Sequence, residues 1–228
     1  MFFLLEATPA VLADTCGPLI ETFKAVRDNV EHVLEGLAEW PVDKATFDRV
    51  KAASPGDRFE AAARFIYLNK TCWNGLYRVN GSGQFNVPYG RPKSQDVVDP
   101  ENLRACASLL QGDVALVKDD FAATVASAEP GDLVYFDPPY VTGHNNNGFV
   151  DYNEVLFSWG DQERLAALAV ELDKRGVWVV ISNADHQPIV DLFHPFEAIR
   201  VSRPSTIAGR PSKRRLTLEV VLFNTRRT

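Results

Sequence analysis

The sequence contains little cysteine and no long hydrophobic run. Its three cysteines, Cys16, Cys72 and Cys106, are far apart, and none belongs to a CxxC pair. This spacing is not that of a zinc site or a dithiol redox pair, so we expect three buried thiols. No apolar stretch approaches the roughly 20 residues of a membrane span, and the opening "MFFLLEATPA" lacks the basic flank of a signal peptide. These absences predict a soluble, cytoplasmic protein with no membrane and no metal partner.

The chain is acidic overall, with a net charge of -6, yet two windows contain no acidic residue. The first window, 69–95, contains Lys70, Arg78, Arg91 and Lys93. The second window, 198–218, contains Arg200, Arg203, Arg210, Lys213, Arg214 and Arg215. Two solvated basic loops would explain this pattern. A positive surface that binds the phosphates of a nucleic acid would explain it equally well.

The pattern of apolar residues predicts alternating helices and strands. With 228 residues and 46% hydrophobic content, the chain suffices for one large domain or for a core with an inserted subdomain. Helices are predicted at 18–39, 57–69, 99–110 and 120–128, and a capping box, Ser158 with Asp161, precedes another at "QERLAALAVELDKR". Strands are predicted at 114–117, 133–136, "VWVVIS" and "RLTLEVVLFN". This order favours an α/β fold with a mainly parallel sheet covered on both faces.

The strand 133–136 runs directly into "DPPY", Asp137 to Tyr140. Ligands of such sheets bind outside the carboxyl ends of the strands. Pro138 and Pro139 have a fixed φ and no N–H, so they hold the chain in one rigid shape. A pair of prolines can simply end a strand, but an acid, two prolines and an aromatic ring together suit the methylation of an exocyclic amino group on a nucleobase.

In that chemistry the amine donates its two N–H groups to the Asp137 carboxylate and the Pro138 carbonyl, which turns its lone pair toward an electrophilic methyl group. The carboxylate also suits a neighbouring sulfonium cation. Tyr140 offers a face on which a base flipped out of a duplex can stack. The predicted catalytic residues are therefore Asp137, Pro138, Pro139 and Tyr140.

The "DPPY" motif and the stretch "NKTCWNGLYRVNGSGQFNVPYG" at 69–90 together resemble the Dam-type (D12 class) DNA adenine-N6 methyltransferases. The resemblance extends from Phe2 to Asn224. It implies S-adenosylmethionine as cofactor, base flipping, and methylation of adenine N6 in double-stranded DNA at a GATC-like site. "DPPY" alone also occurs in amino-methylases that act on cytosine, so cytosine N4 stays open as an alternative target.

The resemblance also implies a domain organisation. The catalytic domain would be a Rossmann-like methyltransferase sheet formed by residues 1–40 and 113–228. An inserted helical and hairpin DNA-recognition subdomain would occupy residues 41–112.

The middle motif carries the predicted DNA contacts. The "NGSG" turn between "LYRV" and "QFNV" predicts a hairpin. By resemblance, Arg78 reads a guanine, and Trp73 and Leu76 press against bases beside the flipped adenine. Core packing would equally explain Trp73 and Leu76, and turn chemistry is preferred for Asn80. The complete predicted DNA-binding set is Lys70, Trp73, Asn74, Leu76, Arg78, Asn86, Pro88, Arg91, Arg210, Lys213 and Arg214.

The cofactor residues follow from the same resemblance. Asp14 in "AVLADTC" would hold the ribose hydroxyls, and Asp120 with Phe121 in "VKDDFAAT" would lie beside the cofactor adenine. Asp137 completes the predicted cofactor-binding set. Asp119 is an alternative to Asp120 for the position beside the cofactor adenine, and helix capping is the alternative role for either residue. Two more groups match the family pattern: the aromatics Phe149, Tyr152 and Phe157, of which Phe157 also suits core packing, and "ISNAD" at 181–185, where Ser182 and Asn183 could instead start a helix.

One departure concerns the start of the chain. Family members begin with a basic-aromatic segment and a strand that leads into a glycine-rich turn ending in Phe-Phe, whereas here Phe2 and Phe3 are the first recognisable residues. We therefore expect residues 1–228 to bind S-adenosylmethionine poorly, and about 30–45 added upstream residues, one strand and helix unit, to restore activity. An inactive fragment or a DNA-binding remnant is the corresponding alternative function.

Overall fold

The computed structural model describes residues 1–140, 157–204 and 216–225. The chain divides into two compact units, Met1–Thr124 and Val125–Thr228. No helix in the described part of the chain is long and apolar enough to cross a membrane. Several predicted site residues lie outside the described residues, namely Phe149, Tyr152, Arg210, Lys213 and Arg214.

The first unit combines helices with one pair of parallel strands. The helices are α1 (Phe2–Leu5), α2 (Gly17–Asp28), α3 (Val30–Ala38), α4 (Lys44–Ala52), α5 (Arg58–Thr71), α6 (Pro100–Leu110) and α7 (Phe121–Thr124). Strands β1 (Ala10–Ala13) and β2 (Val114–Val117) pair in parallel, with Ala13 opposite Val117. Their carboxyl ends therefore lie side by side. The core of this unit includes the fully buried side chains of Val33, Phe47 and Tyr67.

Acidic side chains begin two of the predicted helices. The Asp57 carboxylate accepts hydrogen bonds from the backbone N–H groups of Phe59 and Glu60, at 2.7 and 2.8 Å. The Asp99 carboxylate accepts one from the N–H of Asn102 at 3.1 Å, and Pro100 takes the first position of α6. These bonds satisfy N–H groups that have no partner within the helix. Both predicted helix starts are confirmed.

Two helix predictions need correction, and one helix was missed. The single helix expected at 18–39 is two helices, because Asn29 leaves the helical conformation (φ -159, ψ 82) and its side chain caps α3 through the N–H of His32. Helix α4 was not anticipated. The helix predicted at 120–128 is confined to Phe121–Thr124.

Only one of the three predicted buried thiols is buried. Cys72 is buried, and desolvation raises the pKa of its thiol to about 11. Cys16 and Cys106 are half-buried, because each has one side open to solvent. Burial still raises the pKa of both thiols, so neither favours the reactive thiolate.

The second unit contains a four-stranded sheet. Its strands are β3 (Leu133–Phe136), β4 (Trp178–Ala184), β5 (Glu197–Pro204) and β6 (Leu216–Phe223), and its helices are α8 (Trp159–Lys174) and α9 (Gln187–Leu192). The strand order is β3-β4-β6-β5, with β3 and β4 parallel and the other pairs antiparallel. The described residues thus confirm the α/β class, but the expected mainly parallel sheet is mixed. Strand β5 was not predicted.

Helix α8 begins at the predicted capping box. The Ser158 side chain accepts from the N–H of Asp161, and the Asp161 carboxylate accepts from the N–H of Ser158. Gly176 follows the helix with a φ of 81°, which favours glycine. The chain then returns as β4, whose Ile181 lies opposite Phe136 of β3. This register places the residue after β3, Asp137, beside Ser182.

Candidate active site and recognition segment

The Asp137 carboxylate is anchored by the neighbouring strand. The hydroxyl of Ser182 donates a hydrogen bond to Oδ1 of Asp137 at 2.6 Å. The hydroxyl of Tyr135 donates to Ser182 Oγ at 3.0 Å, so the serine accepts one bond while it donates the other. Ser182 is buried and Asp137 is exposed. A carboxylate held on one oxygen by a buried donor keeps its second oxygen for an incoming N–H group.

Tyr140 lies half-buried beside this cluster. Burial, with a smaller contribution from the negative charge of Asp137, raises the pKa of its phenol to about 12, although a hydrogen bond with Ser182 opposes the shift. The phenol therefore stays neutral across the range in which DNA is a stable duplex. A neutral aromatic ring at this position is compatible with base stacking.

The prolines are held from the other side of the sheet. The side-chain amide of Gln162, on α8, donates to the carbonyl of Pro139 at 3.4 Å. The amide of Asn183, on β4, donates to Oε1 of Gln162 at 3.2 Å. Both side chains are fully buried. Sequence reasoning missed Gln162, although a polar residue on the apolar face of an amphipathic helix was a usable signal.

The predicted cofactor residues of the first unit meet at one sheet edge. Asp14 follows β1 and Asp120 follows β2, and these two parallel strands are in register. Asp14 is half-buried, and its Oδ1 accepts from the N–H of Cys16 at 2.6 Å. Its second oxygen can accept from a hydroxyl group. A carboxylate at the end of a parallel strand fits the recognition of a ribose diol.

The structure shows which of Asp119 and Asp120 caps α7. Oδ1 of Asp120 accepts from the N–H of Ala122 at 3.0 Å, at the start of α7. Oδ1 of Asp119 accepts only from the adjacent N–H of Asp120, at 2.8 Å. Asp120 therefore caps α7, which does not exclude a role beside a ligand. Phe121 is half-buried next to it.

The predicted recognition segment begins with a tight turn after α5. Trp73, Asn74 and Gly75 form a 3₁₀ turn in which Asn74 has a φ of 53°, and Trp73 is 42% exposed. Leu76 is half-buried and packs against the core of the first unit. Trp73 is thus exposed enough to contact a partner, whereas the half-buried Leu76 side chain is packed in part against the core.

A short hairpin follows the turn. Val79 and Phe85 form an antiparallel bridge, and Nε of Arg78 donates to Oδ1 of Asn86 at 2.7 Å. Oδ1 of Asn80 accepts from the N–H groups of Ser82 and Gln84, both at 3.0 Å. The hairpin is confirmed, and so is the preferred turn role of Asn80. Asn86, predicted to contact DNA, accepts this bond from Arg78, and its contact with DNA stays a prediction.

The last part of the motif packs against its first part. The N–H of Trp73 donates to the carbonyl of Pro88 at 2.9 Å. At Gly90 a Cβ atom would lie 2.2 Å from the carbonyl oxygen of Cys72, so only glycine permits this approach. Lys70, at the end of α5, and Arg91, with a φ of 54°, are both exposed. The described residues of the predicted DNA-binding set, from Lys70 to Arg91, therefore lie in one segment whose two ends pack against each other.

The chain is similar to known proteins over most of its length. A family model described as D12 class N6 adenine-specific DNA methyltransferase matches residues 1–207. The chain is 33% identical to the type II methyltransferase M1.LlaDCHI of Lactococcus lactis subsp. cremoris, over 98% of this chain and 82% of that protein. It is 30% identical to the DNA adenine methylase of Haemophilus influenzae, over 95% of this chain and 78% of that protein. It is 31% identical to the DNA adenine methylase of Escherichia coli K12, over 81% of this chain and 68% of that protein.

Proposed function

The chain belongs to the D12 class of N6 adenine-specific DNA methyltransferases, and we propose that it methylates an adenine flipped out of duplex DNA, with S-adenosylmethionine as the methyl donor. The observation that carries the proposal is the 2.6 Å hydrogen bond from Ser182 to Asp137, which orients the carboxylate of the "DPPY" motif. The proposed fold of the catalytic part is the Rossmann-like methyltransferase sheet, with residues 41–112 as the DNA-recognition subdomain.

The residues of the "DPPY" motif orient the amine rather than act as a strong base. The second oxygen of Asp137 and the Pro138 carbonyl accept the two N–H groups of the adenine amine, so its lone pair points at the methyl group. Tyr140 stacks on the flipped ring. S-adenosylmethionine supplies an electrophilic methyl group on a cationic sulfur. The N6–carbon bond would form as the bond between the methyl carbon and the sulfonium sulfur breaks, which would leave a neutral thioether. Asp137 stabilises the positive charge that develops on nitrogen, and one N6 proton then passes to solvent so that the neutral methylamine remains.

The first unit supplies the proposed cofactor contacts. The Asp14 carboxylate accepts from the ribose hydroxyls through its second oxygen, and Phe121 contacts the cofactor adenine. Asp120 holds the start of α7 and so keeps Phe121 in place. Asp14 can accept hydrogen bonds from a ribose diol, and Phe121 offers an aromatic ring to an adenine. Their positions after two paired strands support the proposal that this unit binds a nucleoside.

The proposed recognition site is GATC-like. Arg78 presents its terminal guanidinium nitrogens to a guanine, because its Nε is occupied by Asn86. Trp73 is exposed enough to press against bases beside the flipped adenine. Relatives named DNA adenine methylases support adenine as the target over the cytosine alternative.

A single assay tests the reaction and the target base. The protein is incubated with methyl-labelled S-adenosylmethionine and a duplex that contains one GATC site, and the DNA is digested to nucleosides and separated by chromatography. We expect label in N6-methyladenine, and little label in a matched duplex whose site is scrambled. Label in N4-methylcytosine, or equal label in both duplexes, would refute the target base or the site respectively.

Base flipping has its own readout. The target adenine is replaced by 2-aminopurine, whose fluorescence rises when it leaves the base stack. We expect the protein to raise this fluorescence at the target position and not at a neighbouring one. A complex that forms without any rise would refute flipping while leaving the reaction intact.

A further inference from the structure

We propose that Ser182 and Asn183, adjacent on β4, position the Asp137–Pro139 segment for methyl transfer from opposite faces of the sheet. The proposal deepens the function proposed above and rests on it. It assigns roles to two residues of "ISNAD" and to a third, Gln162, that the reaction does not otherwise use.

The strand geometry explains why adjacent residues act on opposite faces. Successive side chains of a β-strand point to opposite sides of the sheet. The parallel register of β3 with β4 places Ser182 beside Asp137 on one face. Asn183 then points to the face covered by α8, where it meets Gln162.

On the first face, Ser182 fixes the carboxylate. Its hydroxyl has a single proton, which it donates to Oδ1 of Asp137 at 2.6 Å. The hydroxyl of Tyr135 donates to Ser182 Oγ at 3.0 Å, and a second acceptor near the serine proton, the Phe136 carbonyl, is farther away at 3.5 Å. Ser182 is 6% exposed, so few water molecules can reach its hydroxyl group. The carboxylate is thereby oriented before any substrate arrives.

On the second face, a relay of two buried amides fixes the prolines. Asn183 donates to Gln162 at 3.2 Å, and Gln162 donates to the Pro139 carbonyl at 3.4 Å. Both amide side chains are 0% exposed, so an unpaired amide group there would lack any replacement partner. Because the ring of Pro139 fixes its φ, a fixed Pro139 carbonyl also limits the orientation of the preceding peptide. That peptide carries the Pro138 carbonyl, one of the two acceptors for the adenine amine.

The two anchors together define the distance and angle between the two acceptors. Transfer in line requires the amine lone pair to point at the methyl group, so both acceptors must be placed at once. The loss of either anchor should therefore slow the chemical step and leave DNA binding intact. If the anchors had a purely structural role, their loss would lower the folded fraction and would not change the rate of the chemical step per folded molecule.

The chain offers a matched control. Asn224 is another buried amide of the same unit: its Oδ1 accepts from the N–H of Val179 at 2.8 Å, and its Nδ2 donates to the carbonyl of Val177 at 2.9 Å. These contacts lie at the beginning of β4, away from the "DPPY" motif. Asn224→Leu removes a buried amide without disturbing either anchor.

The test is the single-turnover rate of methyl transfer, measured with the dissociation constant for duplex DNA and the free energy of unfolding of each variant. Ser182→Ala and Gln162→Leu should each lower the rate about 10- to 100-fold, with DNA affinity changed less than about twofold. Ser182→Thr, which keeps the hydroxyl, should recover most of the rate lost in Ser182→Ala. Asn224→Leu should lower stability and leave the rate per folded molecule unchanged.

Three other outcomes would contradict the positioning role, and the last of them would also contradict the proposed function. A wild-type protein that transfers methyl groups, with Ser182→Ala and Gln162→Leu within about twofold of its rate, refutes the positioning role and leaves the proposed function standing. Gln162→Leu and Asn224→Leu could also lose the same rate at the same loss of stability. Gln162 would then have a structural role alone, which also refutes its positioning role. A folded wild-type protein that transfers no methyl group even when it is saturated with S-adenosylmethionine and with duplex DNA refutes the proposed function and the positioning role together.

Discussion

Nε of Arg78 donates a hydrogen bond to Oδ1 of Asn86 at 2.7 Å across the recognition hairpin. The bond fixes the plane of the guanidinium group from behind. The terminal nitrogens of Arg78 are then presented as a pair, which is the arrangement that binds O6 and N7 of guanine. Asn86 thus orients Arg78, the residue proposed to contact guanine.

Arg78→Ala should relax sequence preference at one base pair, because a bidentate guanine contact discriminates by about 1–3 kcal/mol. Asn86→Ala should cause a smaller loss in the same direction, since the guanidinium remains but is less well oriented. The measurement is the dissociation constant for the specific duplex and for duplexes with one substituted base pair, at fixed salt. Lys70→Ala serves as the control and should weaken all duplexes alike with a lower salt dependence. A uniform loss for Arg78→Ala would make it a phosphate contact instead.

Tyr140→Ala should lower kcat/KM by the loss of base stacking, worth about 1–3 kcal/mol. Tyr140→Phe keeps the ring and loses only the hydroxyl that interacts with Ser182, so it should be tolerated much better. Steady-state kinetics on one duplex compares the two variants. If phenylalanine is as harmful as alanine, the hydroxyl rather than the ring matters, and the stacking role is wrong.

The position of Asp137 at the end of a strand and the hairpin around "NGSG" could be predicted because local sequence determines them. Leu133–Phe136 is an apolar strand followed by two prolines, and "NGSG" is a turn in almost any context. The support of these residues could not be predicted, because it depends on contacts between distant segments. Asp137 and Ser182 are far apart in the chain, and only the register of β3 with β4 brings them to 2.6 Å.

Alkaline pH should destabilise the protein through two tyrosines. Burial raises the pKa of Tyr67 and Tyr140 to about 12, and the nearby charges of Asp43 and Asp137 add to the two shifts. Between about pH 10 and 12 the unfolded chain has released phenolic protons that the folded chain retains, so the free energy of unfolding falls as pH rises. Below that window these groups contribute no pH dependence.

Urea unfolding at several pH values from about 9 to 11 tests this linkage. Tyr67→Phe and Tyr140→Phe should each flatten the alkaline slope. Tyr67→Phe should also lower stability at neutral pH, because its hydroxyl donates to the carbonyl of Pro41 at 2.8 Å. An alkaline slope that is unchanged in the double variant would assign the pH dependence to other groups.

Gly90→Ala should destabilise the recognition segment. The added Cβ would lie 2.2 Å from the carbonyl oxygen of Cys72, and backbone on both sides would have to move, at a cost of about 1–3 kcal/mol. Gly81→Ala is the matched control, since nothing lies within 4 Å of its Cβ position. The free energy of unfolding from urea titration distinguishes the two variants. Equal stability of both would show that the segment rearranges at no cost.

Helix boundaries and the strand pattern of the second unit illustrate what the sequence could not determine. Continuous apolar periodicity predicted one helix where Asn29 caps a second one, because capping requires the backbone conformation to be known. Strand β5 is exposed on most of its length, so it lacks the alternating burial that identifies a strand. Its antiparallel pairing with β6 stabilises it instead.

The most direct measurement is the yield of N6-methyladenine from a duplex treated with wild-type protein or with Asp137→Asn, quantified by mass spectrometry of the digested DNA. Asparagine keeps the shape of the side chain and removes the charge that stabilises the developing ammonium, so DNA binding should persist while transfer is abolished. We predict N6-methyladenine from the wild type and less than about one hundredth of that rate from Asp137→Asn at equal DNA occupancy. Retention of a tenth or more of the rate by Asp137→Asn (~1.4 kcal/mol in activation free energy) would contradict the central role of this carboxylate.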